Sequence, residues 1–214
     1  MRQFETTLST DEKVRAERFH FSRDRDHFIA ARGILRELLA SYTHASPGEL
    51  QFTYGAQKKP ALLGNKMPAT VKFNLSHSHG LAVFAISEQR ELGIDLELVQ
   101  PGFATDGIAE RYFSSRELAE LRALPPEQMA EGFFLCWTRK EAYVKAHGAG
   151  LHIPLDSFDV TLTPGEPERL RSTDSERWSL RSFKPASEFA GAMVVEGRSW
   201  QASYFEWSHE NDPR

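Results

Sequence analysis

Apolar residues along the chain follow two spacings, helical and strand-like, and the order helix-then-strand occurs twice. Ser9 and Glu12 stand at capping-box spacing ahead of a charged segment that runs to Phe19. Ser22 is placed to cap a second helix in which Phe28, Ala31, Leu35, Leu38 and Tyr42 recur at helical intervals. Arg23, Arg25, Arg32 and Arg36 are read onto its other face. Ser46-Pro47 predicts a short helical turn with proline at its first position. From Leu50 the spacing changes: LQFTY reads as a strand and GAQKKPALLGNKMPA as a Gly/Pro-punctuated connection. VKFNLS, LAVFAIS and ELGIDLEL are three further strands, and the polar turn Glu88-Gln89-Arg90 predicts an antiparallel hairpin between the last two. Gln100 to Gly107 reads as a linker. Helical spacing resumes at IAERYF, Ser114 and Glu117 repeat the capping-box spacing, and Pro125-Pro126 breaks the run. A long helix is predicted from Pro126 to Ala146, stopped by Gly148. After Leu151 come only strand-like segments: SFDVTL, RWSLRSF, AGAMVVEG and SWQASYFEW. The fold class is α+β, arranged as two similar lobes.

Composition narrows the function classes. The 214 residues carry 26 Lys and Arg against 30 Asp and Glu, a net charge of −4, which argues against a general duplex-binding protein. A single cysteine, Cys136, excludes an internal disulfide framework and a Cys-rich zinc module. It lies in an apolar stretch of helix beside Trp137 and is expected to be a packed core thiol. No apolar stretch approaches the ~20 residues that span a bilayer, and MRQFETTLSTDEK lacks a signal-peptide pattern. A cytoplasmic protein acting without nucleic acid or membrane is the expectation.

Candidate chemistry lies in three segments. In Gly93-Ile94-Asp95-Leu96-Glu97 a strand would turn Asp95 and Glu97 to one face, their α-carbons roughly 6.6 Å apart. A single small cation could take an oxygen from each. Pattern alone favours the plainer alternative, an amphipathic strand with a solvated acidic face. In Trp137-Thr138-Arg139-Lys140-Glu141-Ala142-Tyr143-Val144-Lys145, Glu141 and Lys145 are one helical turn apart. Taken alone they are a surface ion pair worth about 0.3–0.5 kcal/mol. Trp137, one turn earlier, gives the charged stripe an aromatic start. Asn74-Leu75-Ser76-His77-Ser78-His79-Gly80 ends a strand with hydroxyls and two histidines before a glycine. It would suit close approach of a phosphate or a plain hairpin turn equally. His77 and His79 lack the further ligands of a zinc site, and Ser76 is not in a G-x-S-x-G elbow. Scattered basic residues (Arg18, Arg23, Arg25, Lys58, Lys59) belong to no P-loop or dinucleotide fingerprint.

Taken together, FNLSHS, GIDLE and WTRKEAYVKAHGAGL resemble the three signature regions of the Sfp-type 4′-phosphopantetheinyl transferases, in the same order, over about Tyr54 to Leu162. The resemblance implies Mg²⁺-dependent transfer of the phosphopantetheine arm of coenzyme A to a serine of an apo acyl or peptidyl carrier protein, releasing 3′,5′-ADP. It implies a pseudo-twofold monomer: an N-terminal lobe over 1–99 and a C-terminal lobe over 100–214, each a mainly antiparallel sheet with a long helix. The active site would lie in the cleft between them. Asp95, Glu97 and Glu141 would be Mg²⁺ ligands. His77 would touch the coenzyme A phosphates with Ser76 beside it, and Lys145 would serve the acid/base region. Arg23 and Lys59 would hold phosphate oxygens. YGAQKKPAL is longer than the usual Y-G-K-P form, so Lys58 competes with Lys59, and Arg18 and Arg25 compete with Arg23.

The chemistry is consistent with that implication. Converging carboxylates repel by about 4 kcal/mol per close pair at an effective dielectric of 20, so three together call for a divalent cation. Oxygen-only ligands suit Mg²⁺. Glu141, directly or through a water, is the candidate base for the serine proton. A pyrophosphate-bond hydrolase built on the same acids is disfavoured because nothing marks a dedicated water nucleophile. A non-catalytic binding module is disfavoured because Asp95, Glu97, Glu141 and Lys145 are all in place.

Overall fold

The computed structural model describes residues 2–55, 59–64, 71–102, 106–148 and 153–208. The chain divides into two compact units, one of Met1–Thr53, Ala61–Val71 and Trp200–Arg214, the other of Tyr54–Pro60 and Lys72–Ser199.

The first unit contains α1 (Arg2–Thr7), α2 (Thr10–Glu17) and α3 (Ser22–Thr43), then a 3₁₀ turn at Pro47–Glu49. The capping box expected at Ser9/Glu12 forms, and the 3₁₀ turn carries a further one at Ser46/Glu49. Ser22 does not cap α3; it is the helix's first residue, and Phe21 precedes it without a side-chain bond. The predicted polarity of α3 also needs correction. Arg32 and Arg36 are buried, whereas Tyr42, read onto the apolar stripe, is 46% exposed. The cause is Glu12, whose capping role draws its carboxylate into the interior. Arg36 Nε donates to Glu12 Oε2 at 2.8 Å, and Arg36 Nη1 donates to the carbonyls of Pro47 and Leu50. A buried carboxylate must find cations, so two arginines turn inward against the hydrophobic pattern. The predicted strand SWQASYFEW is irregular instead, and Trp207 packs on Phe4 with ring centroids 5.7 Å apart. Next along the chain, β1 (Gln51–Tyr54) pairs with β2 (Pro60–Leu63), a strand the sequence pattern hid within a connection.

In the second unit, β3 (Lys72–Ser78), β4 (Leu81–Ser87) and β5 (Leu92–Leu98) precede α4 (Asp106–Tyr112), α5 (Ser115–Ala123) and α6 (Pro126–His147). The short β6 (Asp159–Val160) and β7 (Leu170–Arg171) follow, then β8 (Trp178–Phe183) and β9 (Phe189–Glu196). The sheets are antiparallel, so the α+β class holds. The expected β4–β5 hairpin does not form. Instead β3 and β4 make the hairpin, turning through His79 and Gly80 at φ 48° and 86°. Two successive positive φ values match the twist of adjoining strands. β5 pairs with β9, which pairs with β8. Leu92 through Leu96 are all buried, because α6 covers β5 while β9 and β3 flank it.

β5 lies flush against α6 because residue 93 is glycine. A Cβ there would stand 2.1 Å from Ala142 O and 2.3 Å from Ala146 N, both backbone atoms that cannot swing aside. α6 ends as predicted, with Gly148 left-handed at φ 65°. Its last turn is anchored by Asp174, which accepts from Tyr143 Oη at 2.5 Å, Trp178 Nε1 at 2.9 Å and Ser172 Oγ at 2.9 Å. Burial would raise the Asp174 carboxyl, but these donors outweigh it and hold it down at about 2. Cys136 is wholly buried in the core with Phe133, Phe134 and Val194, as expected. Burial pushes its thiol well above the ordinary range. Gly93→Ala should therefore cost about 3 kcal/mol of stability, the upper end for overpacking. Denaturant unfolding measures it; a loss under about 0.5 kcal/mol, the size of a neutral surface change, would contradict the close approach.

Candidate active site

Strand alternation puts Asn74, Ser76 and Ser78 of β3 on one face, turned to β5. No ladder joins these two strands; side chains do. Ile94 N donates to Asn74 Oδ1 at 2.9 Å and Leu98 N to Ser78 Oγ at 3.2 Å. Ser76 Oγ donates to Asp95 Oδ1 at 2.9 Å, and Ser78 Oγ to Glu97 Oε2 at 2.8 Å. The contacts advance together along both strands, which therefore run parallel. Ser78 has one hydroxyl proton, spent on Glu97, so the 2.9 Å contact with His79 Nδ1 needs the proton on the imidazole.

From α6, Lys145 Nζ reaches Asp95 Oδ1 at 2.6 Å and Ser76 Oγ at 3.2 Å. The ammonium thus bridges across to β5 instead of pairing with Glu141 one turn away, and the surface ion pair is not what forms. Asp95 is 4% exposed, and its second oxygen, Oδ2, is buried with no hydrogen-bond partner. Glu141 is half-buried. Burial raises its carboxyl first, and the charges of Asp95 and Glu97 push the same way against Lys145. Glu97 is likewise raised, chiefly by burial, then by Asp95, while Ser78, Lys145 and His79 oppose. All three carboxylates feel one another's charge. Among the described residues no three His, Cys, Asp or Glu side chains stand close enough to grip an ion as they are. The chemistry of the donor set still fits a hard cation: oxygen ligands only, mutual repulsion to relieve, and an orphaned buried oxygen on Asp95.

The other expected residues are placed as follows. His77 lies between Ser76 and Ser78 in sequence but on the opposite face of β3, exposed. Lys59 Nζ donates to Leu92 O at 3.0 Å and Lys145 O at 2.8 Å. Lys58 falls outside the described residues. Arg23 and Arg25 belong to the first unit, each in an exposed 3.8 Å pair with the following aspartate, and Arg18 there is exposed.

Sequence reasoning missed the inward half of the charged stripe on α6. Lys140 is fully buried, 2.7 Å from Glu117 Oε2, and donates to Leu155 O and Phe158 O. Arg139, also buried, donates to Ser182 Oγ and Thr161 O. These two cations hold the fold, while Glu141 and Lys145 face the site. The available signal was Ser114–Glu117: a capping carboxylate needs a buried cation wherever the chain closes over it.

Two family models cover the chain. Residues 91–198 match the 4′-phosphopantetheinyl transferase superfamily, and residues 1–89 match the model described as 4′-phosphopantetheinyl transferase, N-terminal. The 4′-phosphopantetheinyl transferase HetI of a Nostoc species is 41% identical over 94% of this chain and 84% of its own. A 4′-phosphopantetheinyl transferase of Bacillus subtilis is 33% identical over 88% and 82%. A holo-(acyl-carrier-protein) synthase from Bacillus anthracis, solved in complex with CoA, overlaps half of this chain and 96% of its own, at 24% identity and TM-score 0.40. The chain belongs to the 4′-phosphopantetheinyl transferase superfamily. It is an enzyme, one that transfers 4′-phosphopantetheine to carrier proteins.

The carboxyl coupling can be read in the metal-free protein by carbon-detected NMR titration. Glu141 should titrate above its usual range, and Asp95→Asn should move it down, because a raising charge is lost and Lys145 loses its partner. A Glu141 midpoint that stays put or rises would contradict the coupling.

Proposed function

We propose that the phosphopantetheine comes from coenzyme A, that the acceptor is a serine of an apo acyl or peptidyl carrier protein, and that the reaction needs Mg²⁺. The observation that supports this most is Asp95: one buried oxygen held by Ser76 and Lys145, the other left bare, beside two further carboxylates. Asp95, Glu97 and Glu141 would hold the ion. When bound it supplies charge neutralisation to the pyrophosphate, which is most of what phosphoryl transfer asks of a site.

The chain's own residues do the rest. Glu141 takes the proton from the serine hydroxyl, directly or through a water. The serine oxygen forms a bond to the phosphorus that carries the pantetheine. The bond from that phosphorus to the bridging oxygen breaks, and 3′,5′-ADP leaves with the electron pair. Lys145, held in place by Asp95 and Ser76, presents positive charge to the developing phosphate charge. His77, exposed on the face of β3 opposite Ser76, meets the coenzyme A phosphates, and the basic positions Arg23 and Lys58 supply further cations for them. Arg18 and Arg25 are the alternatives to Arg23.

Two pseudo-twofold lobes, 1–99 and 100–214, with the active site in the cleft between them belong to the same reading. Support comes from the helix-then-strand order of both halves and from α3 and α6, each 22 residues long. The chain is further proposed to work as a monomer in the cytoplasm, without nucleic acid or membrane. Among the described residues no helix is long and apolar enough to cross a membrane.

The test is the mass of an apo carrier protein after incubation with the enzyme, coenzyme A and Mg²⁺. One added phosphopantetheine arm is expected, and none once EDTA has removed the metal; free nucleotide without carrier modification would point to a hydrolase instead. Asp95→Ala should lower the rate and recover part of it at raised Mg²⁺. Glu141→Gln should lose about a hundredfold or more, the scale of a general base, with no recovery from added metal. Lys145→Ala should lower turnover with little change in metal dependence. Full rescue of Glu141→Gln by Mg²⁺ would reduce Glu141 to a ligand alone.

A further inference from the structure

Lys59 has its donors committed. Its ammonium has three N–H groups, and two go to main-chain carbonyls, Leu92 O at 3.0 Å and Lys145 O at 2.8 Å. On its remaining side Glu91 Oε2 stands 3.8 Å away, in a carboxylate whose closer partner is Lys72 at 2.5 Å. The aliphatic stem runs past Gly148, where a Cβ would lie 3.6 Å from Lys59 Cδ. The seat is largely buried, and that burial lowers the Lys59 pKa against the opposing pull of Glu91.

Both carbonyls matter. Lys145 O is among the last four of α6, which have no partner inside the helix, and there a cation is also favoured by the helix dipole. It receives Gly148 N–H as well, at 3.2 Å. Leu92 O opens β5, three residues before Asp95. One ammonium therefore fastens the residue whose side chain holds Asp95 to the start of the strand that carries Asp95. A phosphate recruiting this ammonium would take the donor from Leu92 O, leave Lys145 O with the Gly148 N–H alone, and release the junction.

We propose that Lys59 is a positioning residue for the transfer, acting through the backbone of Lys145 and Leu92 to hold the Lys145–Asp95 contact in register, and not a ligand of the coenzyme A phosphates. The inference rests on the transferase reading and deepens it. A phosphate ligand and a positioning residue separate in kinetics: loss of the first raises KM for coenzyme A in a salt-dependent way, loss of the second lowers kcat.

The experiment compares wild type, Lys59→Met and Lys59→Arg in the carrier-protein assay, with amide hydrogen exchange on the same proteins. Lys59→Met keeps the stem and removes the donors. Its kcat should fall about tenfold, the scale of one charge-assisted hydrogen bond, with KM for coenzyme A and its salt dependence essentially unchanged. Lys59→Arg should also lose turnover, because a planar guanidinium does not fit the seat beside Gly148, whereas a phosphate would accept it readily. In both variants the Gly148 amide, bonded to Lys145 O, should exchange faster. A raised KM for coenzyme A with unchanged kcat in Lys59→Met, or wild-type kcat and exchange in Lys59→Arg, would overturn the proposal. Should wild type itself transfer nothing, the transferase reading fails on that observation. The exchange rate of Gly148 then still decides whether Lys59 fastens the junction.

Discussion

Everything at the site depends on how closely β5 lies to α6. Gly93 allows strand and helix backbones to touch, and only at that separation does Lys145, from the last two turns of the helix, meet Asp95 on the strand at 2.6 Å. The contact is costly to build. Asp95 gives up nearly all of its hydration, and a buried carboxylate is tolerated only with a cation and hydrogen bonds around it. Ser76 and Lys145 satisfy one oxygen and leave the other bare. A cation bound there, as proposed, would return what folding gave up.

The long helix divides its charges by direction. Successive residues on a helix point about 100° apart, so a run of four polar residues cannot share a face. Arg139 and Lys140 turn inward and bind the segment 155–161, β8 and the α5 cap, while Glu141 looks to the other carboxylates. Lys145 follows Glu141 by one turn and continues the same face. The inward cations hold the helix in rotation, and the rotation aims the outward pair. Loss of Lys140 would leave the Glu117 carboxylate buried without its cation, a defect of about 3–5 kcal/mol, and would disturb the site without touching it.

The sequence made visible what depends on local spacing. The capping boxes, the span of α6 to within a residue and its Gly148 stop all follow from local spacing rules. So does the common face of Asp95 and Glu97 on β5. What it hid depends on distant partners. β5 finds β9 about a hundred residues on, so the nearby turn at Glu88-Gln89-Arg90 was a poor guide to pairing. Arg32 and Arg36 were read onto a polar face because charge usually lies on one, and Lys140 was given no place at all. Each is buried against a capping glutamate whose own burial no periodicity reports. The two-residue strands β6 and β7 are too short to show a period, and the aromatic alternation near the C-terminus served packing on Phe4 instead of a sheet.

A double-mutant cycle on Asp95 and Lys145, read in kcat/KM for carrier-protein modification, bears most directly on this account. Asp95→Asn, Lys145→Met and the double variant would be compared with wild type. If the contact across β5 and α6 organises the site, the double variant is no slower than the worse single one, and the coupling is about 1.5–3 kcal/mol. Losses that add to within about 0.3–0.5 kcal/mol would mean that the two residues act independently, and the contact would then be incidental to the chemistry.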